Sequence, residues 1–422
     1  MTVEVGPGIK YRYLPVNKWK TLSIDVFCLS PLRRETVTAL ALVPRLAKRG
    51  TGRLPTLRDL ARHLEGMYGS TMSADATKIG PAQVLRFGMD VPSLEGQSLG
   101  KAMAFIWDVV TNPYLDGEAY PADRFDTERE EHRRDILSII NHRPRYATVR
   151  MIEELSKGDD SGLPAWGVLE DLPSVSPRAT WEIWRDELSI CPISIYAIGD
   201  GAEELAGILQ RASLEFPGKR SDTAGKPVDV RTPPLPDKPV MAEDSLPGDQ
   251  TILCAAFRTG VTERDPRMPA MILYDGILGG FPHSKLFVNV REKHSMAYFA
   301  DSSLNSWRGL VTATAGILDV NREKVVGLIE EQVEAMKRGD IEDREMAFTK
   351  AGLIRRYRSE SDSQSALVRR FLTSEIMGGP ATEEELVSRI ERVTKDDVVA
   401  VAQDVKLAAV YALRAKDDGA SG

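Results

Sequence analysis

The sequence predicts an α+β protein built from two related domains. Three observations support this. A β, α, α, β, α, α order occurs twice along the chain, at an offset of about 225–230 residues. A proline-rich stretch separates the two copies. The chain has 422 residues, 42% of them hydrophobic and 28% charged, enough for two substantial cores and incompatible with wholesale disorder.

The first copy opens at residues 21–27, where Leu22, Ile24 and Val26 alternate as in a half-buried strand. The second opens at residues 251–257, TILCAAF, a continuously apolar run that fits a strand covered on both faces. Each strand leads into an apolar helix, at 36–50 and 269–280, and then into a polar-amphipathic segment, at 57–76 and 284–303. Strand candidates follow at 82–91 and 309–317, then helices at 98–111 and 321–339. A further helix pair spans 121–140 and 344–362, and a last strand closes each copy at 191–199 and 407–414. Between the copies, seven prolines from Pro217 to Pro247 exclude a long helix, so an extended crossing is expected. The expected domains are therefore residues 1–216 and 249–422, joined by a linker at 217–248.

A net charge of −7 argues against a polyanion-binding surface, and no nucleic-acid partner is expected. The three cysteines, Cys28, Cys191 and Cys254, sit in apolar runs without CxxC spacing, which reads as buried free thiols in a reducing compartment. No export-signal core and no apolar run of about 18 residues is found, so a cytoplasmic protein without a membrane partner is expected. The P-loop, the Rossmann glycine fingerprint and the GxSxG elbow are all missing from the sequence.

The most informative stretch is residues 278–303, LGGFPHSKLFVNVREKHSMAYFADSS. The adjacent Gly279 and Gly280 permit close backbone approach. Leu286, Phe287 and Val290 fall at helical spacing, whereas Ala297, Tyr298 and Phe299 read better as the start of a strand. Arg291 and Tyr298 offer a five-donor guanidinium and a phenol that can donate and accept, a combination suited to peptide carbonyls. The plainer alternative pairs Arg291 with a surface carboxylate and packs Tyr298 in the core.

This string resembles the second-domain signature of the insulinase-like (pitrilysin) metallopeptidases, a family that includes the mitochondrial processing peptidases. Gly279, Gly280, Ser284, Leu286, Phe287, Arg291, Glu292, Lys293, Ala297 and Tyr298 match it. Phe281 replaces a third glycine, Lys285 an arginine, and Ser295-Met296 a Gly-Leu pair. The resemblance implies two homologous metallopeptidase-like domains of the LuxS and processing-peptidase type, each a mainly antiparallel sheet with helices packed on it. It also implies that Arg291, Tyr298, Gly279 and Gly280 belong to a substrate-binding site.

Active members of that family carry His-x-x-Glu-His on the first helix, with a further Glu some seventy to eighty residues on. The two histidines and the distal carboxylate hold zinc, and the motif glutamate is the general base. The family's Arg/Lys-Gly-Thr landmark is present as Arg49-Gly50-Thr51, and counting back from it places Ala41, Leu42, Val43, Pro44 and Arg45 in the five motif positions. No ligand and no base remains, so no catalytic residue, metal site or cofactor is expected in this chain.

The five histidines, His63, His132, His142, His283 and His294, supply no replacement. His132 lies among Glu128, Glu131 and Asp135 on a charge-rich helix that reads as a solvated face. The cluster Arg355, Arg356, Arg358, Arg369 and Arg370 reads likewise, with an electropositive chamber wall as the alternative. By resemblance the chain is a non-catalytic subunit of a two-component peptidase, with zinc only in a homologous partner and a peptide as the shared substrate. Among bacterial members it is similar to a degenerate subunit associated with elongation factor P aminopentanol modification. A non-proteolytic binding or assembly scaffold is the alternative function.

Overall fold

The computed structural model describes residues 1–93, 99–211 and 214–416. Ser98, the first residue of one expected helix, and the last six residues of the second expected domain lie outside them. The chain divides into two compact units, residues 1–137 with 163–229, and residues 138–162 with 230–422.

The first unit carries β1 (Thr2–Gly6), β2 (Ile9–Leu14), β3 (Thr21–Pro31), β4 (Thr71–Ile79), β5 (Ala82–Pro92) and β6 (Ile193–Ile198). They form one sheet in the order β1-β2-β6-β3-β5-β4. The second unit carries β7 (Val240–Pro247), β8 (Thr251–Arg258), β9 (Ala297–Asn305), β10 (Leu310–Ile317) and β11 (Lys406–Lys416), ordered β7-β11-β8-β10-β9. Setting β1 aside, the two orders coincide strand for strand. Each sheet is antiparallel except for one pair, β2 with β6 and β7 with β11. A parallel pair at the same place in both sheets is the structural counterpart of the sequence repeat.

In the first unit Leu22, Ile24, Val26 and Cys28 turn inward from β3 against helices Arg34–Ala47 and Leu99–Thr111. The uniformly apolar β8 is covered twice. Leu253, Ala255 and Phe257 face one core, while Ile252, Cys254 and Ala256 face Ala147, Met151 and Leu155. Those three residues are spaced four apart along helix Arg143–Leu155, which the sequence reading did not anticipate. His142 caps that helix by accepting from the Arg145 amide, and Arg150 pairs with Asp244 of β7.

The expected domain boundaries thus need two corrections. Residues 138–162 belong to the second unit although they precede the linker. The linker itself is ordered at both ends. Arg220 donates to the carbonyls of Pro7, Leu188 and Cys191, and residues 240–247 form β7 against β11. An edge strand exposed at alternate positions carries few apolar residues, so its signal was lost among the prolines.

Candidate functional site

The degenerate motif lies on helix Arg34–Ala47, in which Ala41, Leu42 and Val43 are core residues. Pro44 stands inside the helix and cannot donate to the Leu40 carbonyl. Arg45 reaches the facing helix Ala122–Ser138. Its Nε lies 2.9 Å from Glu128, its Nη1 2.7 Å from Asp135 and its Nη2 3.5 Å from Glu131. Arg49 donates to the second Glu128 oxygen and lies 3.6 Å from Glu131. Glu128 is buried, so two guanidiniums meet one carboxylate shielded from water.

These residues do not fit zinc. Four of the five motif positions are aliphatic or proline in packed surroundings, and the guanidinium at the fifth has no lone pair to offer a metal. Among the described residues no three His, Cys, Asp or Glu side chains converge as metal donors do. The histidines are spread over separate tasks. His132 is buried and donates from Nε2 to the Trp166 carbonyl at 2.7 Å, and burial lowers its pKa. His283 meets Thr349 at 2.9 Å, and the His63 ring lies 4.9 Å from that of Phe105.

The solvated-face reading of the charged helix is therefore corrected. Phe125, Glu128 and His132 fall at i, i+3 and i+7, and all three are buried. That spacing was the signal in the sequence, masked by the surrounding charges. The second basic cluster also proves heterogeneous. Arg370 is half-buried against Glu360 and the Tyr357 carbonyl, Arg356 lies over the Phe281 ring, and Arg358 is exposed.

In the second unit helix Met268–Asp275 widens into a π-helical turn at Gly276–Gly280. Gly279 is needed there: a Cβ would lie 2.3 Å from the Ser302 amide nitrogen of β9. At Gly280 the nearest atom would stand 3.4 Å away, an ordinary contact. Phe281 leaves the helix in extended conformation, and its ring fills space left by Gly276 and Gly352. Lys285 is buried against Glu345 at 3.2 Å.

The Leu286–Lys293 segment is also π-helical, burying Leu286 and Val290 as the spacing predicts. π-Helical turns recur at functional sites. The chain leaves this segment through Ser295, at φ +51°, the position where the family signature has glycine. Arg291 is exposed, lies 4.7 Å over the Phe287 ring and makes no ion pair among the described residues. Tyr298 is 54% exposed, at the start of β9. Neither residue takes the plainer alternative weighed from the sequence. Both flank the 294–296 turn.

The family described as peptidase M16 inactive domain matches residues 195–353. A probable inactive metalloprotease of Bacillus subtilis, YmfF, is 30% identical over 98% of this chain and 97% of its own length. The chain belongs to the peptidase M16 family. It stands among the inactive, metalloprotease-like members, and the insulinase-like resemblance is thereby shown. A conserved protein of Enterococcus faecalis superposes with a TM-score of 0.90 at 26% identity, covering 99% of both chains. A Pseudomonas fluorescens peptidase M16 inactive domain gives 0.79 at 16% identity, over 99% of this chain and 98% of its own, which shows the fold alone. Among the described residues no helix is long and apolar enough to cross a membrane.

Proposed function

We propose that this chain is the non-catalytic subunit of a two-component zinc metallopeptidase, paired as a heterodimer with a homologous zinc-bearing subunit. Zinc resides only in the partner, and the complex works in the cytoplasm, in keeping with three buried free thiols. Arg291 and Tyr298 hold an extended peptide, and Gly279 and Gly280 shape the turn beside them. One contrast carries the reading. The position matching the family's metal motif is closed by an ion-pair network, whereas the Arg291 and Tyr298 heads are left open to solvent.

The chemistry follows from the donors. A guanidinium hydrogen bond to a peptide carbonyl is charge-assisted and contributes about 1.5–3 kcal/mol, a neutral phenol bond about 1 kcal/mol. In a reconstituted complex with the zinc-bearing homologue, Arg291→Ala is expected to raise KM by about 10-fold or more with kcat nearly unchanged. Tyr298→Phe is expected to raise KM about 5-fold. Unchanged KM in both variants would show the role assignment to be wrong. The rival scaffold function, including one in elongation factor P modification, predicts instead a stable complex whose partner lacks His-x-x-Glu-His.

A further inference from the structure

The first unit contains a cavity of about 490 Å³ that none of the preceding chemistry uses. It opens beside helix Leu99–Thr111 and is closed by the 214–217 segment and by Trp181 of helix Pro177–Ile190. Its size is that of a small-molecule or single-side-chain site.

Aromatic walls and carboxylates meet in it. Trp107 spends its indole N–H on the Glu215 carbonyl at 2.8 Å, which leaves the ring without a polar demand of its own. The Phe216 ring stands edge-on to Trp107, with centroids 5.2 Å apart and planes at 89°. Asp108 lines the cavity although only 7% exposed, and its Oδ1 accepts from Asn112 Nδ2 at 2.8 Å. Glu215 sits at the rim, with its side chain 85% exposed.

Arg53 spans both carboxylates loosely. Its Nε stands 3.5 Å from Asp108 and its Nη2 4.0 Å from Glu215, while its side chain is 68% exposed. Two carboxylates against one guanidinium leave the cavity with one net negative charge. Trp107, Trp181 and Phe216 line the cavity with π-electron surface that favours a cation, and the Phe216 ring already carries one, the Arg220 guanidinium 5.1 Å from its centroid.

We propose that this cavity binds an organic cation, an alkyl ammonium or guanidinium group of the lysine or arginine type, which displaces Arg53 from Asp108. The charged head meets the Asp108 carboxylate, and the methylenes lie along Trp107 and Phe216. An anion is repelled by both carboxylates. A neutral apolar guest strips water from Asp108 without replacing it, at a cost of the order of a lost charged hydrogen bond.

Isothermal titration of the purified full chain tests this with cadaverine, agmatine and a blocked lysine peptide, against pentanoate and 1-pentanol as controls. Saturable binding of the cations alone is expected, weakened about tenfold by Asp108→Asn and strengthened several-fold by Arg53→Ala. Glu215→Gln, at an exposed side chain, is expected to weaken binding about twofold with the melting temperature unchanged, which guards against misfolding of the Asp108 variant. Preference for the blocked peptide over cadaverine identifies a protein side chain as the natural guest, and the reverse identifies a free amine. Equal binding of pentanol or pentanoate, insensitivity to Asp108→Asn, or weaker binding by Arg53→Ala would each overturn the proposal.

Discussion

Glu128→Gln removes the carboxylate that both Arg45 and Arg49 address. Breaking a buried ion pair by deleting one partner costs about 3–5 kcal/mol, because the remaining charge is stranded. That figure is an upper limit here. The Arg45 and Arg49 side chains are 22% and 26% exposed, and Arg45 retains Asp135 and Glu131, which are 66% and 49% exposed and well screened. A loss of about 2–3 kcal/mol is therefore expected. In a unit of roughly 200 residues, that lowers the melting temperature by about 5–10 °C. Differential scanning calorimetry of the variant and the parent measures this directly. The double variant Arg45→Ala with Glu128→Gln should cost about 1–2 kcal/mol less than the sum of the two single changes. A shift under about 1 °C for Glu128→Gln, or strict additivity, would refute the view that a charge network closes the former metal position.

Other expectations follow from the same geometry. Ser295→Gly relieves a left-handed serine and should stabilise the chain by about 1 kcal/mol in denaturant titration. Gly279→Ala drives a Cβ into the Ser302 amide and should destabilise by about 3 kcal/mol or more, whereas Gly280→Ala should stay within about 0.5 kcal/mol. Burial pushes the Asp275 carboxyl up to about 6, opposed by its hydrogen bond from Ser302. Between pH 4 and 6 the folded chain then holds a proton that the unfolded chain has released, so this group's contribution to stability falls as pH rises through that window. Asp275→Asn should flatten that slope and favour the variant by about 1–2 kcal/mol more at pH 8 than at pH 4, read from urea midpoints at the two values.

The central strands β3, β5, β6, β8, β10 and β11 were legible because each sets apolar residues at alternate or successive positions and is buried in the middle of a sheet. The edge strands were harder. β4 and β7 expose every second residue, and β4 carries Asp75 and Lys78 besides, so their pattern resembles loop. Helix Arg143–Leu155 escaped because its apolar stripe is only Ala147, Met151 and Leu155, and its partner strands lie about a hundred residues or more further along the chain. The site divides in the same way. The loss of zinc ligands at 41–45 was readable position by position. What replaced them was not, because Glu128 finds Arg45 across 83 residues of sequence. The helical spacing of Leu286 and Val290 was readable, but the π-helical widening around Gly279 and Val290 was not, since it shifts a helical pattern by a single residue.

The most direct test of a silent subunit is to purify this chain and its zinc-bearing homologue separately, then measure zinc content and peptide hydrolysis for each alone and for an equimolar mixture. The account predicts no stoichiometric zinc in this chain, about one zinc per heterodimer, and hydrolysis that rises at least tenfold on mixing. Stoichiometric zinc in this chain alone, or hydrolysis by the homologue that mixing leaves unchanged, would contradict it.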